Sequence, residues 1–101
     1  MAKFKLTRHS DSDLEASAEY TLRTWGEKQC ERYLDELQAS FQELADNPLR
    51  GRTCDDIRAG LMRMENGRHV VFYRQKVYGI RVIRILHQRM LPDKHVLDEK
   101  E

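Results

Sequence analysis

The sequence predicts an α+β fold, a hairpin of two helices packed on a mainly antiparallel sheet in the order β-α-α-β-β-β. Three observations carry this reading. Two consecutive segments, about 12–25 and 27–46, repeat apolar residues at three- and four-residue steps, the spacing of an amphipathic helix. Beyond about residue 60 the period changes from helical to two. Asn66-Gly67 then separates two alternating segments, a strong hairpin signal because both central residues of the tight turn need positive φ.

The elements follow in order. Lys3 to Thr7 alternates as a short strand. Ser12-Asp13-Leu14-Glu15 has the spacing of a capping box, so the first helix is expected to begin there, with Leu14, Ala18, Leu22 and Trp25 on one face until Gly26 interrupts it. The second helix starts near Glu27, carries Cys30, Tyr33, Leu34, Leu37, Phe41, Leu44 and Ala45 on one side, and stops at Asn47-Pro48. A charged loop occupies about 48–59. Strands are expected over 61–65, 68–74 and 78–87, and a polar tail from about Pro92. A chain of 101 residues supports one core, so residues 1–101 are read as a single domain.

The last strand is the most informative. Simple alternation puts Ile80, Val82, Arg84 and Leu86 on one face and Arg81, Ile83, Ile85 and His87 on the other. Both faces are then apolar with a basic residue inserted in each, and such a strand needs cover on both sides. The chain is short for supplying all of it, which points to a protein that works by binding.

Charge is segregated behind a net of +1: residues 11–46 hold ten acidic and three basic residues, whereas residues 50–90 hold ten basic and three acidic. This polarity favours an anionic ligand or an acidic protein partner on the basic half. The plainer account, in which cations only solvate strand edges, fits poorly with a run dominated by arginine in which lysine appears once, at Lys76. Cys30 and Cys54 lack zinc-site or disulfide-scaffold spacing and read as reduced thiols. No metal site and no cofactor are inferred. No segment is apolar and long enough to span a bilayer, so a soluble, cytoplasmic protein is expected. The helices are the acidic part, which leaves no basic recognition helix for sequence-specific DNA binding.

Taken in order, Tyr20-Thr21, Trp25-Gly26, Tyr33, Phe41, Leu44-Ala45, Pro48, Gly51-Arg52, Asp56-Ile57, Gly60, His69, Phe72-Tyr73-Arg74 and Ile83-Arg84-Ile85-Leu86-His87 with Arg89-Met90 resemble the ParE toxins of the RelE/ParE superfamily. The likeness runs from about residue 4 to residue 96, and its specificity lies in the ordered set. Many members carry aspartate after the Arg-Met, where this chain has Leu91-Pro92. The resemblance implies a RelE-like fold and a type II toxin-antitoxin toxin that inhibits DNA gyrase, through its A subunit, and is silenced by a ParD-like antitoxin.

On that reading the target-binding candidates are Arg58, Arg63, Arg74, Arg81, Arg84, His87, Arg89 and Met90. The antitoxin-binding candidates are Trp25, Tyr33, Leu37, Phe41, Arg74 and Arg81, set against the commoner role of aromatics at helical spacing, which is core packing. Two antitoxin modes fit: a helix folding across the hairpin groove, and a strand added to an open sheet edge with carboxylates meeting the arginines. The alternative within the fold is a ribosome-dependent mRNA endoribonuclease of the RelE kind, which needs a base, an acid and cations around the phosphate. Arg63, Arg74, Arg81, Arg84, His87 and Glu65 are its only candidates, and no aromatic follows Tyr78 to supply the catalytic tyrosine such enzymes carry. An inactive antitoxin-binding or corepressor module is the remaining alternative. Met62, Met64 and Met90 read as gap fillers and His9 and His95 as solvated.

Overall fold

A computed structural model describes residues 2–87. Strand β1 (Lys3–Leu6) leads into helices α1 (Arg8–Trp25) and α2 (Glu27–Asp46); a 3-10 turn (Pro48–Arg50) precedes β2 (Arg52–Thr53), β3 (Met62–Asn66), β4 (His69–Lys76) and β5 (Gly79–His87). The sheet order is β1-β5-β4-β3-β2, with β1 parallel to β5 and every other pair antiparallel. The expected α+β architecture and element order are those observed, apart from β2, two residues that the sequence reading left within the loop.

Helix α1 starts four residues before the expected capping box. Thr7 is its N-cap, and its hydroxyl accepts the Ser10 amide at 3.1 Å. Ser12 and Glu15 instead lie on the exposed face inside the helix. The reason is tertiary: β5 is nine residues long and β1 only four, so beyond Val82 the strand has no neighbour on that side. The first two turns of α1 fill the gap. The Thr7 amide donates to the Val82 carbonyl at 3.0 Å, the Thr7 hydroxyl to the Ile83 carbonyl at 2.9 Å and the Ser10 hydroxyl to the Val82 carbonyl at 2.8 Å. The Ile85 amide donates to Asp13 Oδ2 at 2.9 Å. Thr7, Ser10 and Asp13 stand three residues apart, on one side of the helix, and Thr7 and Ser10 are wholly buried.

The same Asp13 carboxylate receives Arg84 Nε at 2.8 Å and Nη2 at 2.9 Å, a bidentate pair whose side chains are 13% and 15% exposed. Strict alternation along β5 fails just here. Phe72 pairs with Arg84 but Tyr73 pairs with Val82, so Ile83 is an extra residue. The bulge changes the phase: Ile80, Val82 and Ile85 join the core under the helices, and Ile83 and Leu86 turn to the other face. Both apolar faces are covered. Leu37, Phe41, Leu44 and Ala45 of α2 pack on Val71, Tyr73, Ile80 and Val82. Cys54, Ile57 and Leu61 of the β2–β3 loop pack on Phe72, Ile83 and Leu86, so the loop supplies the second cover. Each fully buried large side chain contributes about 1.5–3 kcal/mol.

Gly51 is held by close approach. Its amide donates to the Tyr73 hydroxyl at 3.0 Å, which in turn donates to the Pro48 carbonyl at 2.7 Å. A Cβ there would overlap that hydroxyl and come within 2.7 Å of the Arg63 carbonyl. Gly26, at φ 91°, makes the tight link between the helices. Both cysteines are free thiols, Cys30 half-buried and Cys54 buried.

Asp13→Ala strips the Ile85 amide of its acceptor and removes the bidentate carboxylate from Arg84 in a largely enclosed position. The expected loss of stability is about 2–4 kcal/mol, read from urea denaturation midpoints. A loss below 0.5 kcal/mol would show that water replaces the carboxylate.

Candidate functional site

Eighteen and twenty residues make helices of roughly 27 and 30 Å, and the buried residues of α2, Leu37, Phe41, Leu44 and Ala45, all lie in its second half. At the C-terminal end of α1 the stripe expected to be core is open: Trp25 is 68% exposed and Leu22 46%, with Tyr20 nearby at 65%, whereas Leu37 and Phe41 are each 2% exposed. Trp25 therefore departs from the core role usual at its spacing, and Leu37 and Phe41 hold to it. Tyr33 lies between, half-buried.

Between this exposed end and the β3–β4 turn runs a groove of about 620 Å³. Ser17, Tyr20, Thr21 and Trp25 of α1 form one wall, Gln29, Tyr33, Glu36 and Leu37 of α2 another, and Asn66, Gly67 and Arg68 close the end. His69 and His87, cross-strand partners on β4 and β5, line it from the sheet side. Their rings lie 5.8 Å apart, edge to face, and the His69 ring sits 5.6 Å from that of Tyr33. Ser17 Oγ is 3.5 Å from His69 Nε2. Burial, and then the neighbouring His87, hold His69 below its ordinary value of 6.5. Burial raises the Tyr33 phenol, tempered by Ser17.

The other candidates do not converge on this groove. Arg63, Arg74 and Arg81 project from the opposite face, as their register with Phe72 and with one another requires. Arg63 pairs with Glu65 at 3.3 Å, and Arg74 Nη1 donates to the Ala59 carbonyl at 2.6 Å. Arg58 lies on the exposed loop with its Nη1 on the Ile57 carbonyl. Arg84 is committed to Asp13 at the edge of β5. Of the cleavage candidates read from the sequence only His87 reaches the groove, on the helix side of the sheet, whereas Glu65 lies with Arg63 on the opposite face. Arg89 and Met90 lie outside the described residues.

Sequence reasoning missed Tyr20, Glu36, Arg68 and His69 as groove residues. The signal for Tyr20 was available: it stands five residues before Trp25, on a helix whose remaining apolar residues are small or few. It also missed Thr7, Ser10 and Asp13 as one polar stripe, legible as Thr-x-x-Ser-x-x-Asp directly after a strand.

Residues 4–92 match the family described as ParE toxin of type II toxin-antitoxin system, parDE. The chain belongs to the ParE toxin family. It is 40% identical over 96 residues to Toxin ParE1 of Mycobacterium tuberculosis, covering 94% of this chain and 98% of that protein. To Toxin ParE1 of Caulobacter vibrioides it is 38% identical over 96 residues, covering 95% and 99%. A solved structure described as the chromosomal ParDE TA system from P. aeruginosa shares the fold, with a TM-score of 0.70 at 19% identity over 86% of this chain and 96% of that one. The protein is thus a ParE-type toxin of a type II toxin-antitoxin system. Among the described residues, no helix of this ParE-type toxin is long and apolar enough to cross a membrane.

The depressed His69 sets a pH dependence. The folded state resists its protonation more than the unfolded state does, so its contribution is intact above about pH 6.5 and is lost as pH falls through the folded value. Unfolding midpoints at pH 7.5 and 5.5 should therefore differ more for the native chain than for His69→Asn. Equal differences would mean that His69 titrates alike in both states.

Proposed function

We propose that this toxin acts by binding rather than by catalysis: it inhibits DNA gyrase, through the A subunit, and so blocks replication in the cytoplasm. The observation that supports this reading within the RelE/ParE superfamily is that His87 lies across the sheet from Arg63, Arg74 and Arg81, while Glu65, the acid or base candidate on the arginine face, is itself paired with Arg52 and Arg63. A ribonuclease must bring cations and an acid or base to one phosphate within hydrogen-bond reach, whereas His87 and the Arg63, Arg74, Arg81 set are separated by the thickness of the sheet. That outer face, with Arg58 beside it and Arg89 and Met90 following in sequence, is the proposed gyrase contact. Arg84 is left to the fold.

The same reading assigns the groove to a ParD-like antitoxin, as a helix whose apolar residues lie against Tyr20, Trp25 and Tyr33. Exposed aromatics beside a groove are the side chains from which interfaces draw most of their energy. Carboxylates elsewhere on the antitoxin would be steered by the basic half of the toxin, so association should slow as salt rises.

Supercoiling and DNA-cleavage assays with purified gyrase, ATP and plasmid test the first half. Linear, enzyme-linked DNA that accumulates with toxin and is prevented by antitoxin is the expected result; message cleavage on translating ribosomes without any effect on gyrase would replace it with the nuclease reading. For the second half, Tyr20→Ala with Trp25→Ala should weaken antitoxin binding at least ten-fold with the thermal midpoint unchanged. Undiminished affinity in that variant would move the antitoxin off the groove.

A further inference from the structure

Two histidines meet on the sheet side of the groove, and neither has a part in the proposed gyrase contact. His69 opens β4 and His87 closes β5, and the two are cross-strand partners. Their rings stand edge to face at 5.8 Å, with the Tyr33 ring 5.6 Å from that of His69 and Ser17 Oγ 3.5 Å from its Nε2. The neighbours that face His69 carry no charge while the pair is neutral: Ser17 from α1, Tyr33 from α2, Asn66 from β3 and His87 from β5. Glu36 of α2 and Arg68 of the β3–β4 turn also line the groove, both exposed and of opposite sign. Asp13, one turn before Ser17, is committed to Arg84 and to the Ile85 amide. Among the described residues, no carboxylate makes an ion pair with His69.

We propose that the His69–His87 pair is a proton-operated gate of the groove: neutral, the two rings form a floor on which an apolar partner segment docks, and protonated, they release it. Two effects act in the same direction. An imidazolium with no carboxylate beside it depends on water, and an apolar segment lying in the groove removes that water. A second proton on the pair puts like charges on rings already packed edge to face, which drives them apart and breaks the floor. Burial and the neighbouring His87 already hold His69 below its ordinary value in the free protein, and a bound segment deepens the burial. The sign follows from linkage. A segment that prefers the neutral pair binds fully above the free-state value and is lost as pH falls through it. Of the side-chain types that line the groove, histidine alone has an ordinary value between pH 5 and 8, so the pair sets the response in that range.

The inference rests on the proposed placing of the antitoxin in the groove, and the experiment separates the two. Dissociation constants of the toxin-antitoxin complex are measured by calorimetry at pH 7.5 and 5.0, with circular dichroism to verify that both full chains are folded at each. Acidification should weaken the native complex at least three-fold more than it weakens the complex of His69→Asn, since titration on the antitoxin side is common to both. Equal weakening, or greater weakening in the variant, overturns the gate. If His69→Asn does not fold, His87→Asn carries the same comparison. A second readout needs no variant: the ring-proton resonance of His69 should titrate at lower pH in the complex than in the free toxin, and an unmoved or raised midpoint overturns the gate as well. Tyr20→Ala with Trp25→Ala decides the parent reading. Affinity undiminished in that variant takes the antitoxin off the groove, and both readings fall. Affinity lost there, while native and His69→Asn respond alike to pH, sinks the gate alone.

Discussion

Everything about this fold turns on a mismatch of length between two neighbouring strands. β5 is central, and its parallel neighbour β1 ends halfway along it. Unpaired backbone groups in a buried strand cost about 1–3 kcal/mol each, so they must be met by something other than backbone. Thr7, Ser10 and Asp13 meet them, and in doing so they fix where α1 starts, which side it turns to the sheet and how it lies along β5. Arg84 completes the arrangement from the strand side. A basic residue in an apolar strand, at first sight a binding determinant, is the counterion that allows Asp13 to be enclosed.

Because α1 is anchored at its beginning by polar contacts, it buries little elsewhere. Its second half leaves Tyr20 and Trp25 exposed, and these aromatics become part of the wall of a groove. The Ile83 bulge does the complementary work on β5, handing Ile85 and His87 to the helix side and Ile83 and Leu86 to the loop. Two surfaces of different character result, an aromatic groove holding a pair of histidines and a basic outer face. On the proposed reading the groove meets the antitoxin and the outer face the target, so neither surface has to serve both partners.

Much of this was legible in the residues themselves. Asn66-Gly67 located the hairpin, Gly26 the break between helices and Asn47-Pro48 the end of α2, because these residues act through local backbone sterics. The ordered motifs from Tyr20-Thr21 to His87 pointed to the family as a set rather than singly. Leu37, Phe41, Leu44 and Ala45 were recognisable as core from their spacing alone. The capping box at Ser12 was a false start, correct in spacing yet on a helix already begun, because a docked N-cap at Thr7 outweighs an exposed one.

The sequence by itself determined the element types, their order and the segregation of charge, since each depends on neighbours a few residues apart. Only the tertiary structure decided which cations face outward, that Arg84 belongs to Asp13, that Trp25 and Tyr20 are bare, and that His69 and His87 meet beneath Tyr33. Those outcomes depend on how far one element extends beyond another and on a single inserted residue in β5. Strand length and register are settled by pairing between segments some seventy residues apart, and no local pattern encodes that distance.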